Sequence, residues 1–179
     1  MALAEDLKAK IRNIPDWPKK GIIFRDITPL LKDKEAFKIA VDCLAKPYLN
    51  QGITTVVGID ARGFILASAV AYQIAAGLVL IRKKGKLPHK TIACDYSLEY
   101  ASNTLEIHED SINQGEKILL VDDLLATGGS MEATIHLVEK LGGKIMGISF
   151  LIELTDLAGR KKLGEYPVNS LIKFKEDEK

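Results

Sequence analysis

The chain has 179 residues, of which 47% are hydrophobic and 27% are charged, and this length favours a single domain with its own core over residues 1–179. Its 25 basic and 24 acidic residues leave a net charge of +1, without the excess of one sign that is typical of general nucleic-acid or membrane-surface binders. We therefore expect neither a nucleic acid nor a membrane among its partners.

The N-terminal segment is predicted to begin with an amphipathic helix and to continue into a short apolar run. The apolar residues at helical spacing are Leu3, Leu7, Ile11 and Ile14. Pro15 and Pro18 predict a turn after that helix, and the run 22–26 ends in an Arg-Asp pair. Asp33 is placed to cap a second helix, which ends before Pro47.

Strands and helices alternate in the rest of the chain. The predicted strands cover residues 54–59, 78–81, 117–121, 144–151 and 168–174, and the predicted helices cover 64–76 and 130–141. The strand at 117–121 is almost continuously apolar, which is typical of a parallel sheet that is covered on both faces. We therefore predict an α/β fold, an open and mostly parallel sheet with helices on both faces and right-handed crossovers. The charged run 175–179 is predicted to be a frayed end.

One segment also permits a membrane interpretation. Residues 63–81 form a run of 19 residues without a charge between Arg62 and Arg82, which is long enough to span a bilayer. Gln73 and Gly77 interrupt this run, and a buried helix followed by a strand explains the same residues. We prefer this second interpretation.

The most informative segment follows the strand at 117–121, since ligands of such sheets bind beyond the carboxyl ends of the strands. Asp122 and Asp123 end this strand, and the small-residue loop 127–130 then opens a helix. Successive backbone N–H groups in such a loop converge on an anion, and the helix N-terminus adds its partial positive charge. The loop therefore predicts a site for a terminal phosphate.

The two carboxylates restrict the ligand further. Because Asp122 and Asp123 repel phosphate, we expect them to face hydroxyl groups or a hydrated cation. A phosphate on the loop with a diol nearby describes a pentose 5-phosphate. The competing interpretation is a glycine turn in which one carboxylate caps the helix, although a cap needs only one acid. The sequence contains neither the GxxxxGK[ST] loop of nucleoside-triphosphate sites nor a GxGxxG dinucleotide motif after a strand.

Two further segments at predicted strand ends carry positive charge. Arg62 follows the predicted strand 54–59 and can hold a second anion together with backbone N–H groups; the alternative is an exposed arginine that begins a helix. Residues 82–90 contain five basic residues in nine and no acid. Such a run is often a solvated loop, but at the ligand edge of the sheet it indicates a clamp for a polyanion.

With these motifs the chain resembles the type I phosphoribosyltransferase family, and its adenine-specific branch in particular. The run 121–129 is similar to the phosphoribosyl-pyrophosphate motif of the family, which by itself indicates only the superfamily. The YSLEY loop at 96–100 and the FRD segment at 24–26 favour the adenine-specific branch. The other matching segments are 60–64, 82–88, 105–108, 150–154 and 157–160.

The resemblance implies transfer of a 5-phosphoribosyl group from phosphoribosyl pyrophosphate to adenine, a purine-salvage reaction that gives AMP and pyrophosphate. The implied catalytic residues are Glu99 and Arg62. The implied phosphoribosyl-binding residues are Asp122, Asp123, Ala126, Thr127, Gly128, Gly129 and Ser130. The implied pyrophosphate-binding residues are Asp60, Ala61, Arg62, Arg82, Lys83, Lys86 and Tyr100. The implied adenine-binding residues are Ile23, Phe24, Arg25 and Leu124, with stacking on Phe24 and Leu124 and recognition of the purine edge by backbone groups near Ile23 and Arg25.

The resemblance also implies how the site is enclosed and what it binds besides its substrates. A small N-terminal hood at about residues 1–30 is expected over the base site, and the aliphatic-poor segment 90–107 is expected to be a mobile flap that excludes water. Mg²⁺ is expected as the cofactor, held mainly by the substrate and through water by Asp122 and Asp123, with no direct protein ligand. The peptide between Asp60 and Ala61 is expected to be strained, and the protein to be a homodimer.

Two alternatives remain open in the sequence. A hypoxanthine, guanine or xanthine transferase would share most of these motifs, and a non-catalytic regulator would bind the same donor. Cys43 and Cys94 form neither a CxxC motif nor a zinc-ligand spacing, and the first six residues do not resemble a secretory signal. We therefore expect a cytoplasmic location.

Overall fold

A computed structural model of the chain describes residues 2–98, 101–175 and 178. Five α-helices occur in the described residues: α1 (Ala2–Lys8), α2 (Thr28–Lys32), α3 (Lys34–Ala45), α4 (Gly63–Gln73) and α5 (Gly129–Lys140). The strands there are β1 (Arg12–Pro15), β2 (Ile23–Asp26), β3 (Thr55–Ile59), β4 (Gly77–Lys83), β5 (Thr91–Leu98), β6 (Ala101–His108), β7 (Lys117–Leu125), β8 (Lys144–Leu154) and β9 (Val168–Phe174). Short 3-10 helices cover Lys46–Tyr48, Thr155–Leu157 and Gly159–Lys162.

Seven strands form one sheet in the order β5-β6-β4-β3-β7-β8-β9. Strands β4, β3, β7, β8 and β9 run parallel to one another. Strands β5 and β6 form an antiparallel hairpin that joins β4 through two residue pairs, one of which is Arg82 with Glu106. The predicted open and mostly parallel α/β sheet is confirmed.

Both faces of this sheet are covered, which explains the continuous apolar run in β7. Leu119 lies in the core cluster that includes buried residues of α3 and α4, whereas its neighbour Leu120 lies in the cluster that includes residues of α5. Successive strand residues point to opposite faces, so the run 118–121 is buried on both faces and all of its residues are apolar. Helix α3 starts as predicted, since the Asp33 carboxylate accepts hydrogen bonds from the N–H groups of Glu35 and Ala36.

The predicted N-terminal helix is wrong beyond Lys8. Helix α1 ends there, and Ile14 lies in strand β1, which pairs antiparallel with β2 so that Ile14 faces Phe24. The residue before a proline avoids the helical conformation, and Pro15 therefore favours an extended Ile14. The result is a separate two-stranded sheet at the position where the hood is expected.

The uncharged run 63–81 is divided between α4 and β4, as the preferred interpretation predicts. No helix in the described residues is long and apolar enough to cross a membrane. Strands β7 and β8 extend to Leu125 and Leu154, beyond their predicted ends, because Asp122 and Leu124 remain paired with β8.

The expected flap at 90–107 contains the β5–β6 hairpin. Leu105 and Ile107 are buried in the core, so the base of this segment belongs to the main sheet. Residues 99 and 100 lie outside the described residues, and the mobility of the segment stays a prediction. The predicted frayed end is wrong for Lys175 and Glu178, whose carbonyl groups both accept hydrogen bonds from Arg25.

Candidate active site at the carboxyl edge of the sheet

The parallel strands bring the three predicted ligand-binding segments to one edge of the sheet. Ile59 pairs with Ile81, and Gly58 pairs with Val121, so the residues that follow these positions emerge side by side. Residues 60–62 lie between β3 and α4, Arg82 and Lys83 end β4, and the two aspartates lie in β7. The edge therefore combines a cationic side and an anionic side.

The loop between β7 and α5 is shaped by close backbone contacts. Gly128 has a φ of +83° and begins α5. A Cβ added to it would lie 2.6 Å from the carbonyl oxygen of Gly159, and one added to Gly159 would lie 2.2 Å from that of Ala126. Only glycine fits at these two positions, so the 126–130 backbone is held in one conformation by the segment behind it.

The start of α5 is suited to an anion rather than to a side-chain cap. Within the described part of the chain, no side chain caps this helix, and Asp122 and Asp123 lie in β7. The interpretation in which one of these acids caps the helix is therefore wrong. Thr127 and Ser130 are half-buried at this helix start, where the first N–H groups of a helix are available for an anion.

An ion pair between the half-buried Arg160 and the buried Glu153, which sequence reasoning missed, supports this loop. Arg160 contacts Glu153 through two bonds, Nε to Oε1 at 2.6 Å and Nη2 to Oε2 at 2.7 Å, and it also donates to the carbonyl oxygen of Val168. The hydrogen bond from Arg160 lowers the pKa of the Glu153 carboxyl below its ordinary value. The pair fixes the turn that contains Gly159. The available signal for this pair was Glu153, the one acidic residue in the mostly apolar strand β8.

Asp122 and Asp123 are both buried. The N–H of Asp123 donates to Oδ1 of Asp122 at 2.9 Å, and Gly63 packs so closely on Asp122 that an added Cβ would lie 2.5 Å from this oxygen. Burial and the neighbouring Asp123 charge raise the pKa of Asp122 well above its ordinary value. Burial also raises the pKa of Asp123, against the opposing effect of Arg62.

Arg62 connects residues that were assigned to three different parts of the ligand. Its Nη2 lies 2.6 Å from Oδ2 of Asp123, and its Nη1 donates to the carbonyl oxygen of Arg25 at 3.1 Å. Its guanidinium carbon also lies 4.7 Å from the centre of the Phe24 ring. The implied pyrophosphate, ribose and base residues therefore meet at this one side chain.

The candidate base site combines β2 with a tryptophan that sequence reasoning did not assign. The Trp17 and Phe24 rings make an edge-on contact with their centres 4.4 Å apart. Ile23 is half-buried beside Phe24, whereas Leu124 lies in β7 and packs on the core. An aromatic residue in a turn next to an apolar strand was the available signal for Trp17.

The basic segment is organised by two acids. Arg82 Nε lies 3.2 Å from Oδ2 of Asp60, and Arg82 Nη1 donates to the carbonyl oxygen of Lys86. The buried Glu106 accepts a hydrogen bond from the N–H of Gly85 at 2.9 Å, which fixes the turn between these basic residues. Sequence reasoning gave Glu106 no role.

The other predicted residues of this segment are placed as follows. The side chains of Lys83 and Lys86 are exposed, and the peptide between Asp60 and Ala61 is cis. The expected catalytic Glu99 and the expected pyrophosphate ligand Tyr100 lie outside the described residues.

Comparison with known proteins gives one consistent result. A model of the phosphoribosyl transferase domain family matches residues 30–178. An adenine phosphoribosyltransferase of Brachyspira hyodysenteriae is 54% identical over 169 residues, which cover 94% of this chain and 99% of that protein. The crystal structure of adenine phosphoribosyltransferase from Rhodothermus marinus has a TM-score of 0.93 and 49% identity, and the match covers 97% of this chain and 99% of that one. The Saccharomyces cerevisiae enzyme, complexed with an imino-altritol bisphosphate and adenine, has a TM-score of 0.90 and 34% identity over 96% of this chain and 99% of that one.

The raised pKa of Asp122 predicts that Asp122→Asn makes the ligand-free protein more stable near neutral pH. A carboxyl with a raised pKa stabilises the fold only while it is protonated, and this contribution is lost as the pH rises through the raised value. Asparagine keeps the oxygen that accepts from Asp123 but carries no charge. We expect the melting temperature to rise by roughly 2–4 °C at about pH 7.5, and the gain to shrink near pH 4.5.

Thermal melts at the two pH values measure this effect. Asp110→Asn is the matched control, because the Asp110 side chain is 69% exposed, and its melting temperature should not change. A lower melting temperature for Asp122→Asn than for the wild type at neutral pH would contradict the prediction.

Proposed function

The chain belongs to the phosphoribosyl transferase family and within it to the adenine phosphoribosyltransferases, and on this premise we propose how its residues transfer the 5-phosphoribosyl group of phosphoribosyl pyrophosphate to adenine. The products are AMP and pyrophosphate. The observation that best supports the assignment of residues is the buried Asp122–Asp123 pair, three residues before a loop that Gly159 holds in place. A diol and a phosphate separated by the length of a pentose match this arrangement.

The donor is held at two ends. The backbone N–H groups and hydroxyls of residues 126–130 bind the 5-phosphate at the start of α5, and Asp122 and Asp123 accept hydrogen bonds from the ribose hydroxyls. These contacts lie away from the bond that breaks, so their binding energy fixes the position of the anomeric carbon. Arg62, Arg82 and the N–H groups near Ala61 bind the pyrophosphate.

The chemistry is a substitution at the anomeric carbon. The bond from this carbon to the pyrophosphate oxygen breaks and its electron pair leaves with pyrophosphate, while a ring nitrogen of adenine forms the new bond. The carbon becomes cation-like on the way, so the reaction is promoted by positioning the purine and by stabilising the charge of the leaving group. Arg62 lies where it can turn from Asp123 to that leaving group, and Glu99 is proposed to accept the proton that the purine nitrogen loses.

The residues present fit a magnesium ion that the substrate largely holds. The described residues contain no group of three or more His, Cys, Asp or Glu side chains that could bind a metal on their own. Asp122 and Asp123 have the oxygen ligands that Mg²⁺ prefers, and we propose that they contact its water molecules. When bound, Mg²⁺ neutralises part of the pyrophosphate charge.

Adenine is proposed to lie against Phe24 and Leu124, with its edge facing the backbone of Ile23 and Arg25. Arg62 contacts both the Phe24 ring and the Arg25 carbonyl group in the ligand-free protein. When Arg62 turns to pyrophosphate, an aromatic face and a carbonyl acceptor become available to the base. An amino group on the purine, as in adenine, is a donor for that carbonyl.

We also propose that the protein is a homodimer. Leu78 and Leu80 lie on the same side of β4 and are exposed, although Val79 and Ile81 between and beside them face the core. Two further apolar side chains, Ile65 and the 90% exposed Tyr72, are seven residues apart on α4 and so share one helix face. We propose that a second copy of the chain covers these exposed apolar side chains. The exposed lysines at the end of β4 follow them in the sequence.

A cytoplasmic location is proposed as well. Cys43 and Cys94 are both free thiols in the structure. Free thiols are typical of proteins in a reducing compartment.

The function is tested by mixing the protein with phosphoribosyl pyrophosphate, Mg²⁺ and one purine at a time. AMP and pyrophosphate should form with adenine, while hypoxanthine, guanine and xanthine, which carry a carbonyl where adenine has its amino group, should react at least about a hundredfold more slowly. Chromatographic detection of each nucleotide measures this. Faster reaction with another purine would favour that alternative, and no nucleotide with any purine would favour the non-catalytic regulator.

The donor assignment predicts that Asp122→Asn combined with Asp123→Asn weakens binding of phosphoribosyl pyrophosphate by at least roughly tenfold, because two charged acceptors of the ribose hydroxyls are lost. Calorimetric titration of the folded double variant measures the affinity. Asp110→Asn serves again as the exposed control. Unchanged affinity would remove the diol-binding role.

The dimer proposal predicts that Leu78→Lys combined with Leu80→Lys gives a monomer, since two charges would be buried between the copies. Sedimentation velocity should show twice the chain mass for the wild type and the single chain mass for the variant. Leu49→Lys is the matched control, since Leu49 is an exposed leucine outside this surface. A wild-type monomer at micromolar concentration would contradict the proposal.

A further inference from the structure

Arg25 has a side chain that the mechanism above does not use, and it is almost completely buried, at 2% exposure. Its Nη1 donates to Oδ1 of Asn13 at 2.7 Å and to the carbonyl oxygen of Glu178 at 2.6 Å. Its Nη2 donates to the carbonyl oxygen of Lys175 at 2.9 Å. A buried arginine is costly unless its donors are satisfied, and here two of the acceptors lie at least 150 residues away in the sequence.

These contacts join the hood to the main sheet. Asn13 lies in β1 and Arg25 in β2, whereas Lys175 directly follows β9, the last strand of the seven-stranded sheet. The Arg25 guanidinium also lies 4.2 Å from the centre of the Phe174 ring at the end of β9. The small two-stranded sheet is therefore attached to the C-terminal segment through the side chain of Arg25.

Helix α1 is joined to the same segment. Lys8 Nζ lies 2.5 Å from Oε1 of Glu178 and 4.6 Å from the centre of the Phe174 ring. The Glu178 side chain is 38% exposed, so this ion pair is weaker than the buried contacts of Arg25. The Lys8–Glu178 pair can therefore be compared with the Arg25 contacts, because both involve the C-terminal segment.

The backbone of Arg25 faces the base site. Its carbonyl oxygen accepts from Arg62, and the preceding Phe24 ring lies under the Arg62 guanidinium. One residue thus has its side chain in the C-terminal segment and its main chain in the proposed purine site. A shift of β2 would move the Phe24 ring and the carbonyl acceptor together.

We propose that Arg25 and the carbonyl groups of Lys175 and Glu178 form a clamp that positions β2 for the purine, so that the C-terminal segment sets the affinity for the base. This proposal rests on the proposed function for its effect on adenine, but the clamp itself is a property of the ligand-free protein. Arg25 is a positioning residue, since its guanidinium contacts the C-terminal segment and only its main chain faces the proposed purine site. The 5-phosphate and ribose contacts of the donor are built from β7 and α5 and so lie apart from the clamp, whereas Arg62 at the pyrophosphate end touches β2.

Two changes break the clamp from opposite sides. Arg25→Met removes the donors and keeps a long side chain, and a chain that ends at Phe174 removes both carbonyl acceptors. Glu178→Gln is the matched control, because it removes the charge that pairs with Lys8 and keeps the main-chain carbonyl. Asn13→Ala, which removes one acceptor from β1, is a milder variant that keeps the test decisive if the shortened chain does not fold.

The first measurement needs no substrate. Trp17 is the single tryptophan of the sequence, and it contacts Phe24 in the hood. Its fluorescence should be quenched by acrylamide more strongly in Arg25→Met and in the shortened chain than in the wild type, and equally in Glu178→Gln and the wild type. Unchanged quenching in folded clamp variants would overturn the proposal.

The second measurement separates positioning from general damage. KM for adenine should rise roughly tenfold in either clamp variant, as expected when a charged hydrogen-bond contact is lost. The affinity for ribose 5-phosphate, which would use only the β7 and α5 contacts, should stay within about twofold of the wild type. Combining Arg25→Met with the shortened chain should add little, because both changes break one interaction. Equal loss of adenine and ribose 5-phosphate binding, or additive effects, would overturn the proposal.

The two measurements also distinguish this proposal from the proposed function. A wild type that forms no AMP would contradict the proposed function, while the Trp17 quenching would still decide whether the clamp exists. Normal AMP formation with unchanged adenine KM in the clamp variants would contradict only the clamp.

Discussion

The site depends on a pair of buried carboxylates, whose burial is unfavourable unless a cation lies beside them. Asp122 and Asp123 are adjacent carboxylates at the end of a central strand, and Arg62 is the cation that lies against them. In a doubly covered sheet this edge is one of the few places where two acids can be buried and still reach a ligand. The opposing charges must come from outside β7, and the neighbouring strand β3 supplies Arg62 just beyond its end. The parallel order of the strands is thus what makes the carboxylate pair tolerable.

The same constraint explains why the charged side chains of the ligand-free site contact one another. Arg62 contacts Asp123, the carbonyl of Arg25 and the face of Phe24 at once, and Arg82 contacts Asp60. In the proposed mechanism, the pyrophosphate and the diol of the donor replace these internal contacts. Arg62 and Arg82 would thereby exchange one anionic partner for another, which limits the free energy that binding must supply.

Much of the fold could be predicted from the sequence because its signals are local. Apolar runs, the Asp33 cap and the small-residue loop after Asp123 depend on neighbours within a few residues, and each of these elements is found where it was expected. The errors and omissions involve distant partners. Ile14 lies in a strand that pairs with Phe24 and not in the predicted helix, and the guanidinium of Arg25 contacts residues about 150 positions later in the sequence.

The candidate site divides in the same way. Residue types at strand ends were enough to predict that Asp122, Asp123 and Arg62 share one edge of the sheet, whereas the supporting residues Glu106 and Arg160 have no local pattern that reveals their partners. Glu106 accepts from the N–H of Gly85, which lies between basic residues that were predicted to bind pyrophosphate. The positions of Glu99 and Tyr100 rest on the resemblance alone.

The contact of Gly128 with Gly159 places an evolutionary restriction on a part of the chain that touches no ligand. The contact is between backbone atoms, so a larger side chain at one position cannot be compensated by a smaller one at the other. Neutral drift in the turn at 155–160 is therefore as restricted as in the loop at 126–130, and insertions in this turn should be rarer than its surface position suggests.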